Sequence, residues 1–258
     1  MILYGVFHVT YKNLKYKHMK HLLLTFAILL SQLFSFGQNQ FEKDVIKTSA
    51  GDISITFFGH GSLSVSVGSK IIYVDPVSTY ADYSKLPKAS MILVTHDHFD
   101  HMDVKAIAQL ETKSTSVVAN SSVVDSLKRG IALKNGEKKT FDGIVVEAVP
   151  AYNTSQDKLQ FHPKGRDNGY VITINGKRIY VASDTENIPE MSSLKDIDVA
   201  FLPMNLPYTM TPQQVAEATR VINPGILYPY HYGETDVMKF QELLNNNKKT
   251  EVRIRKMK

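Results

Sequence analysis

The 258-residue sequence contains no cysteine. That excludes disulfides, a thiolate-ligated zinc site and lipid attachment through cysteine, so any metal site must be built from imidazole and carboxylate. Acidic residues are missing from residues 1–37, a stretch that carries Lys12, Lys15, Lys17 and Lys20. A bilayer-spanning apolar run is missing too. Leu22 to Phe36 is fifteen residues and includes Ser31 and Gln32, short of the roughly 18 to 20 that a spanning helix needs. No Pro/Ser-rich linker, long charge block or short-period repeat divides the rest of the chain.

The basic start has its own logic. From Met19 the text reads as a secretory signal peptide: Met-Lys-His, an apolar core from Leu22 to Leu30, then Ser35-Phe36-Gly37 with small residues at the cleavage positions. This predicts a leader over 1–37, with Met19 as its start, and a single domain over 38–258. The product is expected in the periplasm or outside the cell, with no stable membrane anchor. Lys and Arg number 30 against 25 acids in the whole chain, and removing the four leader lysines leaves 26 against 25. Net charge therefore makes no case for nucleic acid or an anionic membrane, and a small-molecule substrate is the expected partner. About 220 mature residues can bury a substantial core.

Chemistry concentrates in Thr95 to Met102, Thr-His-Asp-His-Phe-Asp-His-Met. The apolar run Met91-Ile92-Leu93-Val94 before it reads as a short buried strand. His96 and His98 are two apart and point the same way on extended chain, while Asp100 and His101 follow on a turn and can face a second point. That arrangement suits two neighbouring ions. Imidazole with carboxylate fits zinc, iron or manganese better than calcium or magnesium.

Around this stretch the chain alternates strands and helices. Ile53 to Phe58, Leu63 to Val67 and Ile71 to Asp75 read as an antiparallel meander, with Gly59-His60-Gly61 at its first turn. Helices are predicted over Val104 to Leu110, Ser122 to Arg129 and Val237 to Asn245. A further helix starts at Thr211 with a capping-box pattern through Pro212 and Gln214, and stops at Asn223-Pro224-Gly225. Strands return at Lys138 to Phe141, Ile144 to Val149, Tyr170 to Ile174, Lys177 to Ala182, Val199 to Pro203 and Ile226 to Tyr230. Val252 to Arg255 reads as a solvated edge strand blunted by charge.

The order His-x-His-x-Asp-His after a hydrophobic strand resembles the signature of metallo-β-lactamase-fold hydrolases. The resemblance runs over residues 51 to 255 and implies an α/β fold, a four-layer αββα sandwich with its cleft along one edge of the two sheets. It also implies three further ligands: a third histidine, a bridging aspartate and a last histidine. Outside the leader and the signature the histidines are His60, His162 and His231. His162 lies where the family expects its third histidine, although many relatives place that ligand straight after a Pro-Ala step, where this chain has Asn153. Asp184 ends a hydrophobic strand in Ser183-Asp184-Thr185, similar to the family's Gly-Asp-Thr with serine for glycine. Tyr230-His231-Tyr232-Gly233 resembles the last motif.

Carried over residue by residue, the resemblance implies that His96, His98 and His162 hold one divalent ion. Asp100, His101 and His231 hold the other, and Asp184 bridges. The implied activity is metal-dependent hydrolysis of an ester-type bond, a phosphodiester or lactone, by a hydroxide bound between two zinc ions, iron and manganese being alternatives. Asp100 and Asp184 are the catalytic candidates. Asp75 is expected to orient the signature loop, and His60, Lys164 and Arg166 to contact substrate. The absent cysteine argues against a drug-hydrolysing β-lactamase, and His98 against a flavodiiron protein. The rival reading is a metal-binding envelope protein without turnover.

Overall fold

Strands form where apolar residues alternate. In the computed structural model, which describes residues 41–244 and 249–258, β1 (Glu42–Ile46), β2 (Ile53–Gly59), β3 (Ser62–Val67) and β4 (Lys70–Val74) make an antiparallel run. Three parallel strands extend it: β5 (Met91–Val94), β6 (Ser116–Ala119) and β7 (Ile131–Ala132). A second sheet repeats the plan. Its antiparallel part is β8 (Lys138–Phe141), β9 (Ile144–Ala151), β10 (Asp167–Ile174) and β11 (Lys177–Val181), and its parallel part β12 (Val199–Pro203), β13 (Ile226–Tyr230) and β14 (Glu251–Val252). Both sheets keep sequential strand order.

Helices carry the parallel crossovers, as parallel pairing requires. They are α1 (Val104–Leu110) and α2 (Ser121–Leu127) in the first half, and α3 (Pro212–Ile222) and α4 (Val237–Leu243) in the second. Period-two alternation sends Ile53, Ile55, Phe57 and Val74 of one sheet and Ile172, Val181, Phe201 and Tyr228 of the other into a shared apolar layer. On the far face of the second sheet, Tyr180, Ala200 and Leu202 meet Val215, Ala218 and Ile222 of α3 and Phe240 of α4. With α2 packed on β6 and β7, the layers read helix, sheet, sheet, helix. This is the four-layer αββα sandwich. Truncating a fully buried aromatic such as Phe201 to alanine costs about 3–5 kcal/mol.

Local signals explain most boundaries. Thr211 and Gln214 close the capping box that starts α3. The second helix differs from expectation: Asn120 accepts from the Val123 N–H to start it, and Lys128 in a left-handed conformation ends it before Gly130. At the C-terminus the expected solvated edge strand is also corrected. β14 stops at Val252, and Arg255 and Arg253 turn onto Asp44 of β1 at 2.7 and 3.3 Å, joined by the Tyr228 hydroxyl of β13. Burial opposes ionisation of Asp44, but the hydrogen bonds from Tyr228 and Arg255 outweigh it and hold the carboxyl below its ordinary range. That cluster ties the edge of one sheet to the other. The predicted leader lies outside the described residues, in which no helix is long and apolar enough to cross a membrane.

The duplicated plan positions the site. Asp75 follows β4, His96 to His101 follow β5, Asp184 follows β11 and His231 follows β13. Side chains from several parallel strands thus leave at their carboxyl ends, where open α/β sheets bind ligands.

Candidate metal centre

The fold brings all seven predicted ligands together. His96, His98 and His162 form one group able to hold a metal ion, His60, Asp100, His101 and His231 a second, and His96, His101 and Asp184 a third. Asp184 lies among them. Its Oδ1 is 3.4 Å from His101 Nε2, and its Oδ2 is 3.4 Å from both His162 Nε2 and His231 Nε2.

Three of the four buried imidazoles, those of His96, His101 and His162, are oriented from behind. His101 Nδ1 donates to Asp75 Oδ2 at 2.8 Å. Asp75 Oδ1 accepts from the Thr95 N–H at 2.8 Å, and its Oδ2 accepts from the Thr95 hydroxyl at 2.7 Å. With that hydroxyl donating to Asp75, its oxygen accepts from His96 Nδ1, 3.0 Å away. His162 Nδ1 stands 3.2 Å from Asp167 Oδ2, and Asp167 is itself gripped by Arg166 at 2.7 and 2.8 Å. Protons are thereby fixed on the outer nitrogens. The inner ones face the centre, the orientation that a ligand histidine needs.

The unpaired atoms test whether a metal fits. His96 Nε2, His101 Nε2, Asp184 Oδ1 and both ring nitrogens of His231 are buried without a hydrogen-bond partner. Orphans of this kind are rare in native proteins, and five of the ten among the described residues fall within this one centre. A nitrogen-rich set with carboxylates is a zinc, iron or manganese environment. The residues fit a divalent metal.

Charge at the centre follows from crowding. Burial and the neighbouring His101, His162 and His98 push the His96 imidazole well down. Burial would do the same to His101, but the Asp184 and Asp75 carboxylates outweigh it and hold it up at about 9. Ionisation of Asp100 is opposed by burial, yet His231 3.8 Å away, the hydrogen bond of His60 and the charge of His101 keep its carboxyl far below the usual range. It stays ionised.

Strain and close approach mark the same place. His60, Asp75, Ser183 and His231 all take positive φ, at 54°, 44°, 64° and 45°. Ser183 shows why glycine usually occupies its position, since a side chain there carries left-handed strain. A Cβ on Gly61 would lie 2.8 Å from His101 Cε1, so glycine alone fits beside that ring.

Among the three expected substrate contacts the placements differ. His60 turns inward, 3.2 Å from Asp100 Oδ2 and stacked between Tyr80 and His231. It belongs with the ligand groups. Lys164 points away to Glu190, 3.1 Å distant, and over the Tyr152 ring. Arg166 is engaged by Asp167 and the Phe161 carbonyl, and touches His98 Nε2 at 3.4 Å. Neither lines the cleft of about 530 Å³ that opens onto His98, Asp100, His162, Asp184 and His231. Of the two candidates for the third histidine's place, His162 joins His96 and His98 in one metal-capable group, while the Asn153 Oδ1 is buried without a hydrogen-bond partner. Asn153 donates its backbone N–H to the His162 carbonyl and its side-chain amide to the Tyr208 carbonyl.

Thr95, Asp167 and Glu186 escaped the sequence reading. Glu186 is fully buried and accepts from the Thr154 and Ser155 backbone N–H groups and from Gln214, with Lys158 3.0 Å away. It fastens the loop leading to His162 onto the strand end that carries Asp184.

Comparison with known proteins agrees with this construction. Residues 54–231 match the Beta-lactamase superfamily domain. A UPF0173 metal-dependent hydrolase from Ligilactobacillus salivarius is 31% identical over 70% of this chain and 85% of its own length. The crystal structure of a candidate metal-dependent hydrolase from Parabacteroides distasonis superposes with a TM-score of 0.82 at 49% identity, covering 84% of this chain and all of the other. A metallo hydrolase from Ignicoccus hospitalis gives 0.68 at 26% identity, over 80% and 95% of the two chains. On these matches and on the centre just described, the chain belongs to the β-lactamase superfamily, among its metal-dependent hydrolases.

Proposed function

We propose that the protein hydrolyses an ester-type bond, a lactone or phosphodiester, at two divalent metal ions, zinc in the first instance. His96, His98 and His162 would hold one, Asp100, His101 and His231 the other, and Asp184 would serve both. Such ions supply Lewis acidity and lower the pKa of a bound water towards neutrality. The observation that carries this reading is the set of bare inner nitrogens on buried histidines whose outer nitrogens are already bonded.

The protein's own groups do the rest. Asp75, Thr95 and Asp167 keep the imidazoles of His101, His96 and His162 turned inward. Asp100, ionised and facing the cleft, accepts a hydrogen bond from a water or substrate hydroxyl rather than donating a proton. His60 holds Asp100 Oδ2 in that orientation. Burial opposes ionisation of Asp184, and the neighbouring His231, His101 and His162 outweigh it and hold the carboxyl below its ordinary range.

Elemental analysis of protein expressed from Gln38 and purified without chelator tests the proposal. About two equivalents of metal, with turnover of esters, lactones or phosphodiesters abolished by His98→Ala or Asp184→Ala, is the expected result. No metal after reconstitution would overturn it, and two metals without turnover would favour the envelope-protein reading. Export through the leader belongs to the same proposal, and N-terminal sequencing of protein recovered from the cell envelope should begin at Gln38.

A further inference from the structure

The hydrolase reading leaves the substrate class open, and the cleft narrows it. Besides the metal-capable groups, its lining is Asp97, Phe99, Phe161, Asn205 and Tyr208. Phe99 sits between two ligand residues and is 88% exposed, so its ring stabilises no core. Phe161 and Tyr208 meet edge to face at 5.1 Å. The Tyr208 segment is held in place, since Asn153 donates to the Tyr208 carbonyl and Lys158 to that of Thr209. Phe161 and Tyr208 form a packed apolar wall, and Phe99 lines the same cleft with its ring open to solvent, so three aromatic rings beside the reacting centre offer apolar surface to a ligand.

Charge points the same way. No Lys or Arg lines the cleft. The nearby cations Lys164 and Arg166 are paired with Glu190 and Asp167. Asp97, exposed at the mouth, stands in no ion pair among the described residues. A second anionic group on a substrate would meet the Asp97 carboxylate, with the nearest cation, Arg166, already paired to Asp167.

We infer that the cleft takes an uncharged ester or lactone whose apolar acyl or alkyl arm lies along Phe99, Phe161 and Tyr208, and disfavours substrates carrying a second anion such as a sugar phosphate. This rests on the metal-hydrolase reading. Each methylene laid on the wall tightens binding about two- to fourfold, according to how fully it is covered.

Hydroxamates test it without needing turnover, because the head group stays constant while the tail varies. Titration calorimetry of the zinc-loaded chain would compare acetohydroxamate, hexanohydroxamate and the carboxylate-tailed adipic monohydroxamate. Hexanohydroxamate should bind at least about tenfold tighter than either of the others. Phe99→Ala and Tyr208→Ala should each lower the hexano-to-aceto ratio about threefold or more, and Asp97→Asn should narrow the gap between the two long tails. Acetohydroxamate binding without tail dependence, or with preference for the carboxylate tail, overturns the inference alone. Failure of every hydroxamate to bind overturns the metal-hydrolase reading and this inference with it.

Discussion

Asp75→Asn changes a single atom of the centre and should reverse two histidine tautomers. The Asp75 carboxylate receives three donors, the Thr95 N–H, the Thr95 hydroxyl and His101 Nδ1, all within 2.8 Å. An asparagine can keep the first through its carbonyl oxygen. Its amide then confronts the other two donors. The least costly rearrangement turns the Thr95 hydroxyl to accept from the amide and donate to His96 Nδ1, which moves the His96 proton to Nε2 and aims it at the metal position. His101, facing an amide instead of a carboxylate, loses the acceptor for its Nδ1 proton as well. Removing one such supporting partner weakens metal binding about 10- to 100-fold. With two ligands affected the loss should reach about 100-fold, roughly 2.7 kcal/mol. Competition with a chromophoric chelator measures this directly, and a thermal melt of the metal-free variant controls for folding. A zinc affinity within about threefold of wild type in a folded Asp75→Asn protein would show that the outer hydrogen bonds do not set the tautomers.

His162→Ala should lower metal occupancy, while Asn153→Ala should keep it and loosen only the Tyr208 wall. Unchanged zinc content in the first variant would refute the placement of the third ligand. Gly61→Ala puts a methyl 2.8 Å from His101 Cε1, so it should displace that ring and lower metal content in elemental analysis of a protein whose circular dichroism is native. Asp44→Ala leaves Arg253, Arg255 and Tyr228 without their shared acceptor and should cost about 2 kcal/mol, near 4–8 °C in melting temperature. Because the folded Asp44 titrates below its unfolded value of 3.8, its stabilisation is fully present above that pH and is lost as pH falls through the folded value. The gap between wild type and Asp44→Asn in urea titrations should therefore close towards acid, and a constant gap would refute the clamp.

The residues that the fold gathers into metal-capable groups were legible because their information is local. Four ligands lie within six residues after a strand, and scarcity of histidine left few candidates for the remainder. The sandwich was legible for a similar reason, since period-two alternation in β2, β3, β10 and β11 needs no knowledge of their partners. What depended on distant partners was hidden. Lys164 looks like a free loop cation until Glu190 is brought beside it, whereas Arg166 pairs with its own sequence neighbour Asp167. Arg253 and Arg255 read as a solvated edge until β1, more than 200 positions away, supplies Asp44. β1 itself gave no signal, because Ile46 is its one buried residue. Phe99 was passed over as part of a metal motif, and its exposure beside Phe161 and Tyr208 appears only in three dimensions.

The positive φ angles connect fold to chemistry. A strand that ends at the cleft must turn its last side chain back across the sheet edge, and His60, Asp75, Ser183 and His231 do so in the left-handed region. Each non-glycine residue there costs about 1–2 kcal/mol relative to the right-handed alternative. Their combined strain is a sizeable fraction of the roughly 5–15 kcal/mol by which domains are stable. It persists because the bonds described above over-determine the positions: the Asp75 carboxylate through Thr95 and His101, and the Ser183 backbone through its fully buried neighbours Ala182 and Asp184. Buried orphan nitrogens add to the same burden. A centre assembled at such expense is most stable when its lone pairs are coordinated, so metal binding and folding are linked: whatever ion occupies the site stabilises the native state by its own binding free energy. The strain and the orphaned atoms are two expressions of one constraint, convergence of side chains from both halves of a duplicated fold on a single point.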